Sequence, residues 1–284
     1  MGLDANGSRF LLHARSTGVK FDSTLMIGRQ DLHIRKSDLL SLMHEYPGCC
    51  VDGADGIIGK SNCSYADDFL RCLGAVTVDS LDHSSFEGAA ICHDLNEPIS
   101  DQYHGRYDVV LDGGSLEHVF DIRQAFRNCM QLVRAGGHYL GITPANNFMG
   151  HGFYQFSPEF YFRLFSEPNG FEMQTMILFE HRRNSAWYEV RSPTEVRSRV
   201  SLKNFERTYL LVIARRVADK PILLSPPQQS DYEAAWHGVG DKAPIRHLGD
   251  EAGFVAGTIE QLKRFGCRLT RRTYFEPLYF RRIR

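Results

Sequence analysis

Residues 107–121 have the sequence YDVVLDGGSLEHVFD, and this stretch decides the fold. Its apolar run, Val109 to Leu111, leads into Asp112, and a Gly-Gly turn follows at once. A short apolar run bounded by turn residues is typical of a buried strand. In an open α/β sheet the carboxyl end of such a strand faces a ligand crevice. The stretch therefore predicts a buried strand whose end, at Asp112 and Gly113, lines a binding site.

Strand-like and helix-like segments alternate along the chain around this stretch, which predicts an α/β fold with a Rossmann-like, mostly parallel sheet flanked by helices. The expected strands are 23–27, 75–78, a short one within 88–93, 107–111 and 138–142. The expected helices are 38–45, 65–73, 121–133 and 158–165. Two longer β segments, 171–179 and 208–215, are expected to pair as an antiparallel hairpin at the edge of the sheet.

The domain organisation follows from composition. We expect a main domain over residues 1–219 with an insertion at about 29–64, and a C-terminal extension over 220–284. The boundary lies at KPILLSPPQQSD, whose prolines and serines are typical of a linker. The extension is expected to contain a helix near 258–265 and to end in a basic, aromatic segment. We interpret that segment as a solvated basic face or a tail packed on a partner subunit rather than an RNA-binding surface.

Charge and cysteine content narrow the class of protein. The 284 residues include 33 basic and 34 acidic ones, so no global field favours nucleic acid or an anionic membrane. No targeting segment or membrane-spanning run is evident, so we expect a soluble, cytoplasmic protein. Seven cysteines, an odd number, favour free thiols in a reducing compartment. Although Cys49, Cys50, Cys63 and Cys72 lie near His44, no C-x-x-C pair is present, which favours buried or incidental thiols over a zinc site.

The predicted strand ends share a polar pattern. Gly28, Asp79, Asp94 and Asp112 each stand where a strand is expected to stop. An ionised carboxylate only accepts hydrogen bonds, whereas ribose hydroxyls and an exocyclic amine donate them. Any one of these aspartates could instead cap a turn or helix. The coincidence of several favours a ligand that carries a nucleoside.

The block over residues 107–144 resembles class I S-adenosylmethionine-dependent methyltransferases of the type 11 kind. The matching features are Asp108 at the start of the strand, the Leu-Glu-His motif at 116–118, and the Gly-Gly turn at 136–137. The segments LGAVTVDSLD and ICHDLNEPI resemble the second and third strands of that family, so that the likeness spans roughly residues 21–217. The resemblance implies that the chain is an enzyme that uses S-adenosyl-L-methionine as its cofactor.

The same resemblance assigns roles to individual residues. It implies that Asp79 binds the ribose hydroxyls of the cofactor and that Asp94 and Leu95 lie beside the adenine. Asp112 and Gly113 would line the adjoining cleft.

The first strand departs from the family pattern. That family has a Gly-x-Gly-x-Gly-like turn here, whereas this chain has IGRQDLH at 27–33, with Gly28 as its only glycine. We therefore expect the methionine end of the cofactor to be held by Arg29 or Gln30. The absence of a G-x-G-x-x-G motif counts against a nicotinamide dehydrogenase. The degenerate turn leaves open a non-catalytic binding or scaffold subunit with the same fold.

The loop over 146–157 is the expected acceptor side, because the corresponding family region commonly faces the acceptor. We predict His151 and Tyr154 as the catalytic pair that contacts the substrate or removes its proton, and we interpret His118 as a packing residue. The aromatic run in and after this loop favours a sizeable small molecule or a sugar-containing acceptor.

Several alternatives stay open for the acceptor and the partners. An RNA or protein methyltransferase is the main alternative enzyme, while the LDGGS sequence after the fourth strand disfavours a side-chain amide methylator. No metal site is evident, although acidic residues near the acceptor pocket could recruit magnesium. A homo-oligomer is compatible with the chain.

Overall fold

The computed structural model describes residues 2–50, 65–182, 184–236 and 273–284, together with Lys263 and Gly266. The strands are β1 (Gly2–Leu3), β2 (Ser23–Ile27), β3 (Asp31–Leu32), β4 (Thr77–Asp82), β5 (Ile91–Cys92), β6 (Tyr107–Asp112), β7 (Val133–Asn146), β8 (Phe171–Glu180), β9 (Tyr188–Val190), β10 (Thr208–Arg216) and β11 (Phe280–Arg282). The helices are α1 (Ala5–Ser16), α2 (Lys36–Glu45), α3 (Asp67–Cys72), α4 (Ile122–Leu132), α5 (Pro158–Leu164), α6 (Pro193–Val196) and α7 (Ser230–Trp236).

The main sheet has nine strands in the order β11-β9-β8-β10-β7-β6-β2-β4-β5. The neighbours β5, β4, β2, β6 and β7 are parallel, whereas β10 is antiparallel to both β7 and β8. If the five parallel strands are counted in chain order, they run 3-2-1-4-5, which is the doubly wound pattern. This order confirms the predicted Rossmann-like fold class. It also places the topological switch point between β2 and β6.

The apolar run of β6 explains why helices cover both faces of the sheet. All six residues of β6 are buried. Val110 belongs to a hydrophobic cluster on one face, which α4 and α5 cover. Val109 and Leu111 belong to a cluster on the opposite face, which α1, α2 and α3 cover. A central strand of a parallel sheet needs this double cover because neither of its faces meets water.

Helix α4 and the strand after it connect differently from the prediction. Asp121 caps the helix, since its side chain accepts a hydrogen bond from the Gln124 amide at 3.0 Å. The helix ends at Leu132 and β7 begins at once, so the Gly-Gly pair at 136–137, which was expected to form a turn, lies inside the strand. A Cβ on Gly137 would stand 2.8 Å from the carbonyl oxygen of Asp108, so glycine is needed there for β7 to approach β6.

Two strand predictions need correction. β4 continues past the predicted end and stops at Asp82. The antiparallel pair β8 and β10 forms as predicted but does not lie at the edge, because β9 pairs with β8 and β11 pairs with β9. These two short strands are hard to recognise from sequence because each has only three residues.

The C-terminal segment contributes to the main sheet. β11 lies in the basic, aromatic end of the chain, so part of this segment is an edge strand rather than a free tail. The proline-rich boundary segment also packs on the domain: Leu223 is buried, and its carbonyl accepts hydrogen bonds from Arg123 and Arg127. The expected helix near 258–265, apart from Lys263, lies outside the described residues.

Helix α1 is an element that the sequence reading missed. Asp4 caps it by accepting hydrogen bonds from the amides of Asn6 and Gly7, both at 2.9 Å. Phe10 and Leu11 on this helix are fully buried against the sheet. In the described part of the chain, no helix combines the length and apolarity needed to span a membrane.

The centre of the α4 face provides a stability prediction. Phe126 is fully buried and its ring meets five other aromatic rings, whereas Phe86 is 93% exposed. We expect Phe126→Ala to lower the free energy of unfolding by about 3–5 kcal/mol, because it removes apolar contacts and leaves a cavity. Phe86→Ala should change it by less than about 0.5 kcal/mol. Urea unfolding of both variants measures the difference, and equal effects would contradict this view of the core.

Candidate functional site

The crevice at the switch point lies between the ends of β2 and β6 and contains a buried glutamine. Gly28 follows β2 with φ +68°, a conformation that favours glycine. The Gln30 side chain is fully buried, and its amide nitrogen donates to the carbonyl oxygens of Ile27 at 3.0 Å and Gly28 at 3.2 Å. Its Oε1 has no hydrogen-bond partner among the described residues. A Cβ on Gly113 would stand 2.4 Å from that oxygen, so Gln30 packs where a larger residue would protrude.

The Asp112 carboxylate makes its hydrogen bonds within the protein and not to the crevice. Its carboxylate is fully buried at the end of β6. One oxygen accepts hydrogen bonds from the amides of Gly114, Ser115 and Leu116 at 3.2, 2.8 and 3.3 Å. The other accepts from the Tyr139 hydroxyl at 3.0 Å. The predicted cofactor role of Asp112 is therefore replaced by a structural one, because its oxygens already hold the turn after the strand.

The Arg29 side chain also makes its contacts with other residues of the protein. Its guanidinium lies 3.2 Å from the Asp67 carboxylate and donates to the Glu87 carbonyl at 2.9 Å. It also stacks over the Tyr65 ring, 4.0 Å from the centroid. These contacts tie the loop after β2 to α3, so they remove Arg29 from the set of groups that could hold the methionine end of a cofactor.

The carboxylate at the end of β4 is that of Asp82. Asp79 lies in the middle of the strand, where it accepts a hydrogen bond from the Tyr107 hydroxyl at 3.0 Å. The Gly28 amide donates to Leu81 at 2.8 Å, which places the following residue, Asp82, at the crevice. Asp82 is half-buried; its backbone carbonyl accepts from the His93 amide at 2.8 Å, whereas its carboxylate makes no hydrogen bond or ion pair with any described residue. The sequence reading selected Asp79 because it ended the strand at Val78, four residues before the actual end of β4.

Asp94 and Leu95 follow β5 and have different environments. One oxygen of Asp94 accepts hydrogen bonds from the backbone and side-chain nitrogens of Asn96, at 2.9 and 2.7 Å. These bonds lower the pKa of Asp94. The second oxygen makes no hydrogen bond to the described residues, so it is available to a ligand. Leu95 is buried in the core, and its carbonyl accepts from Asn128 at 3.1 Å.

A cavity of about 180 Å³ opens beside the switch point, at the same edge of the sheet. Its walls come from the start of α1, the glycine turn after β6, and the edge formed by β7, β8 and β10. The polar side chains that line it are those of Asp4, Glu117, His151, His181 and Tyr209. Several chemically active groups thus converge on one partly open cavity.

Glu117 is the most perturbed group in this cavity. It lies in the short helical turn Leu116–His118, and its side chain is only 2% exposed. One oxygen stands 3.4 Å from Nε2 of His151, while the other is buried without a hydrogen-bond partner in the described structure. Burial and then the negative charge of Asp112 raise the pKa of Glu117 to about 8.

A cluster of two histidines surrounds this carboxylate. The rings of His118 and His151 meet edge to face with centroids 4.9 Å apart. One ligating atom from each histidine and one from Glu117 lie within 4.8 Å of one another. Partial burial and the neighbouring His151 lower the pKa of His118. The sequence offered no direct sign of this grouping, since His151 lies more than 30 residues after the Leu-Glu-His motif.

Tyr154 is not the partner of His151. Its hydroxyl donates to the Phe120 carbonyl at 2.7 Å, and its ring stacks on Phe156 at a centroid distance of 6.2 Å. Neither contact reaches the cavity. The predicted pair of His151 and Tyr154 is thus replaced by His151 and Glu117, because the tyrosine side chain packs against the hydrophobic cluster on the α4 face instead.

Asp4 and His181 form a second polar pair on the opposite wall. Their closest atoms are 3.4 Å apart. Burial favours a raised pKa for Asp4, but hydrogen bonds from His181 and from the amides of Gly7 and Asn6 outweigh it and lower the pKa. The hydrogen bond to Asp4 raises the pKa of His181. The pair therefore links the start of α1 to the end of β8.

No protein-family model and no curated protein sequence matches the chain. Solved structures do resemble it, and the following three are methyltransferases. Geranyl diphosphate methyltransferase in complex with S-adenosylmethionine is 18% identical over 75% of this chain and 85% of its own, with a TM-score of 0.37. The 1,6-didemethyltoxoflavin-N1-methyltransferase of Burkholderia thailandensis, with bound S-adenosylhomocysteine, is 12% identical over 75% and 78%, with a TM-score of 0.37. A S-adenosylmethionine-dependent methyltransferase from Aquifex aeolicus is 8% identical over 73% and 92%, with a TM-score of 0.36. Because these identities and TM-scores are low, the fold assignment rests on the strand order of the sheet itself.

The contact between Gln30 and Gly113 is testable by a double-mutant cycle. We expect Gly113→Ala to lower the free energy of unfolding by about 1–3 kcal/mol, because the new methyl group overlaps the buried Gln30 side chain. Gln30→Ala removes the obstacle, so Gly113→Ala should cost less in that background. Gly150→Ala is the matched control, since nothing lies within 4 Å of its Cβ position. Equal costs of Gly113→Ala in both backgrounds would show that the two residues do not interact.

The pair of Asp4 and His181 predicts a specific pH dependence. A raised pKa in the folded state means that the histidine contributes stability below pH 6.5, its ordinary value, and that this contribution is lost as the pH rises through the folded pKa. Asp4→Asn keeps the helix cap but removes the charge, because asparagine caps helices as well as aspartate does. We expect an NMR titration to give a lower His181 pKa in this variant, with more destabilisation at pH 6 than at pH 9. An unchanged titration would mean that the charges do not interact.

Proposed function

We propose that the protein is an S-adenosylmethionine-dependent methyltransferase that acts on a small-molecule or sugar-containing acceptor. One observation carries the proposal: the groups suited to a nucleoside and those suited to proton transfer lie along one edge of the sheet, on either side of the switch point. Asp82 and Asp94 stand on the side of β4 and β5. The cavity with Glu117 and His151 lies on the side of β6 and β7.

The nucleoside end of the cofactor fits the free acceptors in the crevice. Asp82 has a carboxylate without a protein partner in the described region, and one oxygen of Asp94 is free as well. These oxygens suit ribose hydroxyls and the adenine amine, which donate hydrogen bonds.

The methionine end of the cofactor would be held by Gln30, one of the two predicted residues, rather than by Arg29. Arg29 and Asp112 are occupied by internal contacts, so the group that remains beside Gly113 is the unpartnered Oε1 of Gln30. An oxygen acceptor suits the positive charges of an ammonium and a sulfonium. When bound, the cofactor supplies a methyl group on that sulfonium, and the electrons of the broken carbon–sulfur bond stay on sulfur.

The cavity would serve the acceptor. Its volume of about 180 Å³ is below the ~300–1,000 Å³ of sites that enclose a drug-sized ligand, so it suits one ring or one end of a molecule. His151 reaches the cavity with an exposed side chain, and the carboxyl group of Glu117 at 3.4 Å orients its imidazole. This pair would position the acceptor and receive its proton as the methyl group is transferred.

The alternatives are less well supported. A net charge of -1 and a small cavity argue against an RNA methyltransferase. A scaffold subunit without cofactor is favoured by one observation, the fully buried Gln30 side chain in the crevice. The free thiols in the described chain suit a reducing compartment such as the cytoplasm.

Calorimetric titration with S-adenosylhomocysteine tests the proposal. We expect the wild-type protein to bind it, and we expect Asp82→Asn to weaken binding at least 10-fold, since a hydrogen bond to a charged group contributes about 1.5–3 kcal/mol. Asp79→Asn is the matched control. It lies on the same strand but bonds to Tyr107, so the affinity should change less than about 2-fold.

The outcomes separate the candidate functions. Loss of affinity in Asp79→Asn alone would restore the assignment made from the sequence. A folded wild-type protein that fails to bind S-adenosylhomocysteine would instead favour the scaffold subunit.

A further inference from the structure

The cluster of Glu117, His118 and His151 contains more polar groups than one proton transfer requires. It combines one carboxylate with two imidazoles, and their ligating atoms lie within 4.8 Å of one another. A single histidine oriented by a carboxylate would suffice as a base. The presence of His118 beside them is therefore unexplained by the proposed chemistry alone.

We propose that Glu117, His118 and His151 form a binding site for a divalent first-row transition metal, with Zn²⁺ as the reference case, and that the open coordination positions of the metal face the cavity. Two histidines and one glutamate are a donor set found in catalytic zinc sites, where a fourth position is left for water or substrate. Imidazole also suits iron, copper and nickel.

The distances are close to those of a coordinated ion. Donor atoms about 2.0–2.2 Å from one tetrahedral ion are roughly 3.5 Å apart. The pair of Glu117 Oε1 and His151 Nε2, at 3.4 Å, already meets this value. No pair of donor atoms is more than 4.8 Å apart, so the other separations would have to shorten by at most about 1 Å. Both imidazoles are exposed, so rotation of their side chains can supply that movement.

The buried carboxylate is an independent reason to expect a cation. Glu117 is 2% exposed and lines the cavity, yet its Oε2 lacks a hydrogen-bond partner in the described structure. An unpartnered polar atom in the interior is costly, and a bound ion relieves that cost.

The backbone fixes the two halves of the cluster relative to each other. The Glu117 carbonyl accepts hydrogen bonds from the amides of Phe153 and Tyr154, at 2.7 and 3.3 Å. A Cβ on Gly152 would stand 2.7 Å from the same carbonyl, so the loop approaches the turn as closely as glycine allows. The loop that carries His151 is thus anchored to the turn that carries Glu117 and His118. A preformed arrangement of this kind lowers the cost of ordering ligands around a metal.

The donor set disfavours magnesium and calcium. Both are hard cations that take oxygen ligands, and this cluster offers only one carboxylate. No metal site was evident in the sequence, which left magnesium open; this donor set instead favours a metal that accepts nitrogen ligands.

A metal at this site would restrict which acceptors can be methylated. This inference about the acceptor rests on the proposed function. An acceptor hydroxyl that binds the ion loses its proton more readily, as water does on zinc. The proton would leave to solvent on the exposed side of His118. The acceptor oxygen would then form a bond to the methyl carbon while the carbon–sulfur bond breaks. The site would accordingly favour a hydroxyl-bearing acceptor and O-methylation.

Metal binding is measurable without knowledge of the acceptor. Metal-free full-length protein would be titrated with Zn²⁺ by calorimetry and with Co²⁺ by visible absorption, which reports nitrogen and oxygen ligands directly. We expect one strong site per chain. His118→Ala, His151→Ala and Glu117→Gln should each weaken Zn²⁺ binding at least 10-fold, and the histidine variants should change the Co²⁺ spectrum.

The control is His33→Ala. His33 is another exposed histidine beside a carboxylate, 3.8 Å from Asp31, but it lies outside the cluster. We expect its loss to leave Zn²⁺ affinity within about 2-fold of wild type, since it supplies no ligand to the site. Circular dichroism checks that every variant is folded. Absence of a strong site in the wild type, or equal affinity in His118→Ala, His151→Ala and His33→Ala, would overturn the proposal.

The titration with S-adenosylhomocysteine separates this inference from the proposed function. Zn²⁺ binding without S-adenosylhomocysteine binding would support the metal site and overturn the methyltransferase. Binding of S-adenosylhomocysteine without a strong Zn²⁺ site would overturn the metal site and leave His151 as the direct base.

Discussion

The buried carboxylate of Asp112 is the interaction on which the candidate site depends. It accepts three backbone amides of the turn after β6 and the hydroxyl of Tyr139 on β7. These bonds fix the turn that begins at Gly113 and carries Glu117 into the cavity. Ser115 in the same turn donates to Ile27, which ties the end of β2 to the end of β6. The negative charge of Asp112 also helps to raise the pKa of Glu117. One buried group therefore fixes the shape of the site and adds to the effect of burial on the pKa of Glu117.

The glutamine in the crevice is the feature that most separates this site from a glycine-rich cofactor turn. Gln30 takes space beside Gly113 that such a turn leaves to its ligand, and its free Oε1 is the only polar atom it offers. A buried amide oxygen without a partner is costly, so it favours a donor from a bound molecule. The same packing can also be understood as a crevice closed by the protein. Both the methyltransferase and the scaffold interpretation thus depend on whether Gln30 contacts a ligand or replaces one.

Each of the two walls of the cavity has a histidine beside a carboxyl group, but the two pairs lie in different environments. Asp4 caps α1 and is partly solvated, so its hydrogen bonds keep it ionised. Glu117 is buried beside a second carboxylate, so its charged form is disfavoured. The cavity therefore presents one anionic wall and one wall that can hold a proton or a metal. This asymmetry gives the two sides of the cavity different chemical properties.

The sequence by itself determined the parallel sheet, because its buried strands are apolar runs and its helices are periodic, both local patterns. It also indicated the edge at which polar residues gather. Only the tertiary structure decided which residues are free to act. Asp112 and Arg29 are not free, because they bond to residues distant in sequence and, for Asp112, to backbone amides. The pairing of β4 with β2 extends β4 beyond Asp79, so that the strand ends at Asp82. The meeting of His151 with Glu117 and the pairing of β11 with β9 arise from long-range packing. Local pattern cannot encode these outcomes, since hydrogen-bond partners and burial depend on the three-dimensional position of both groups.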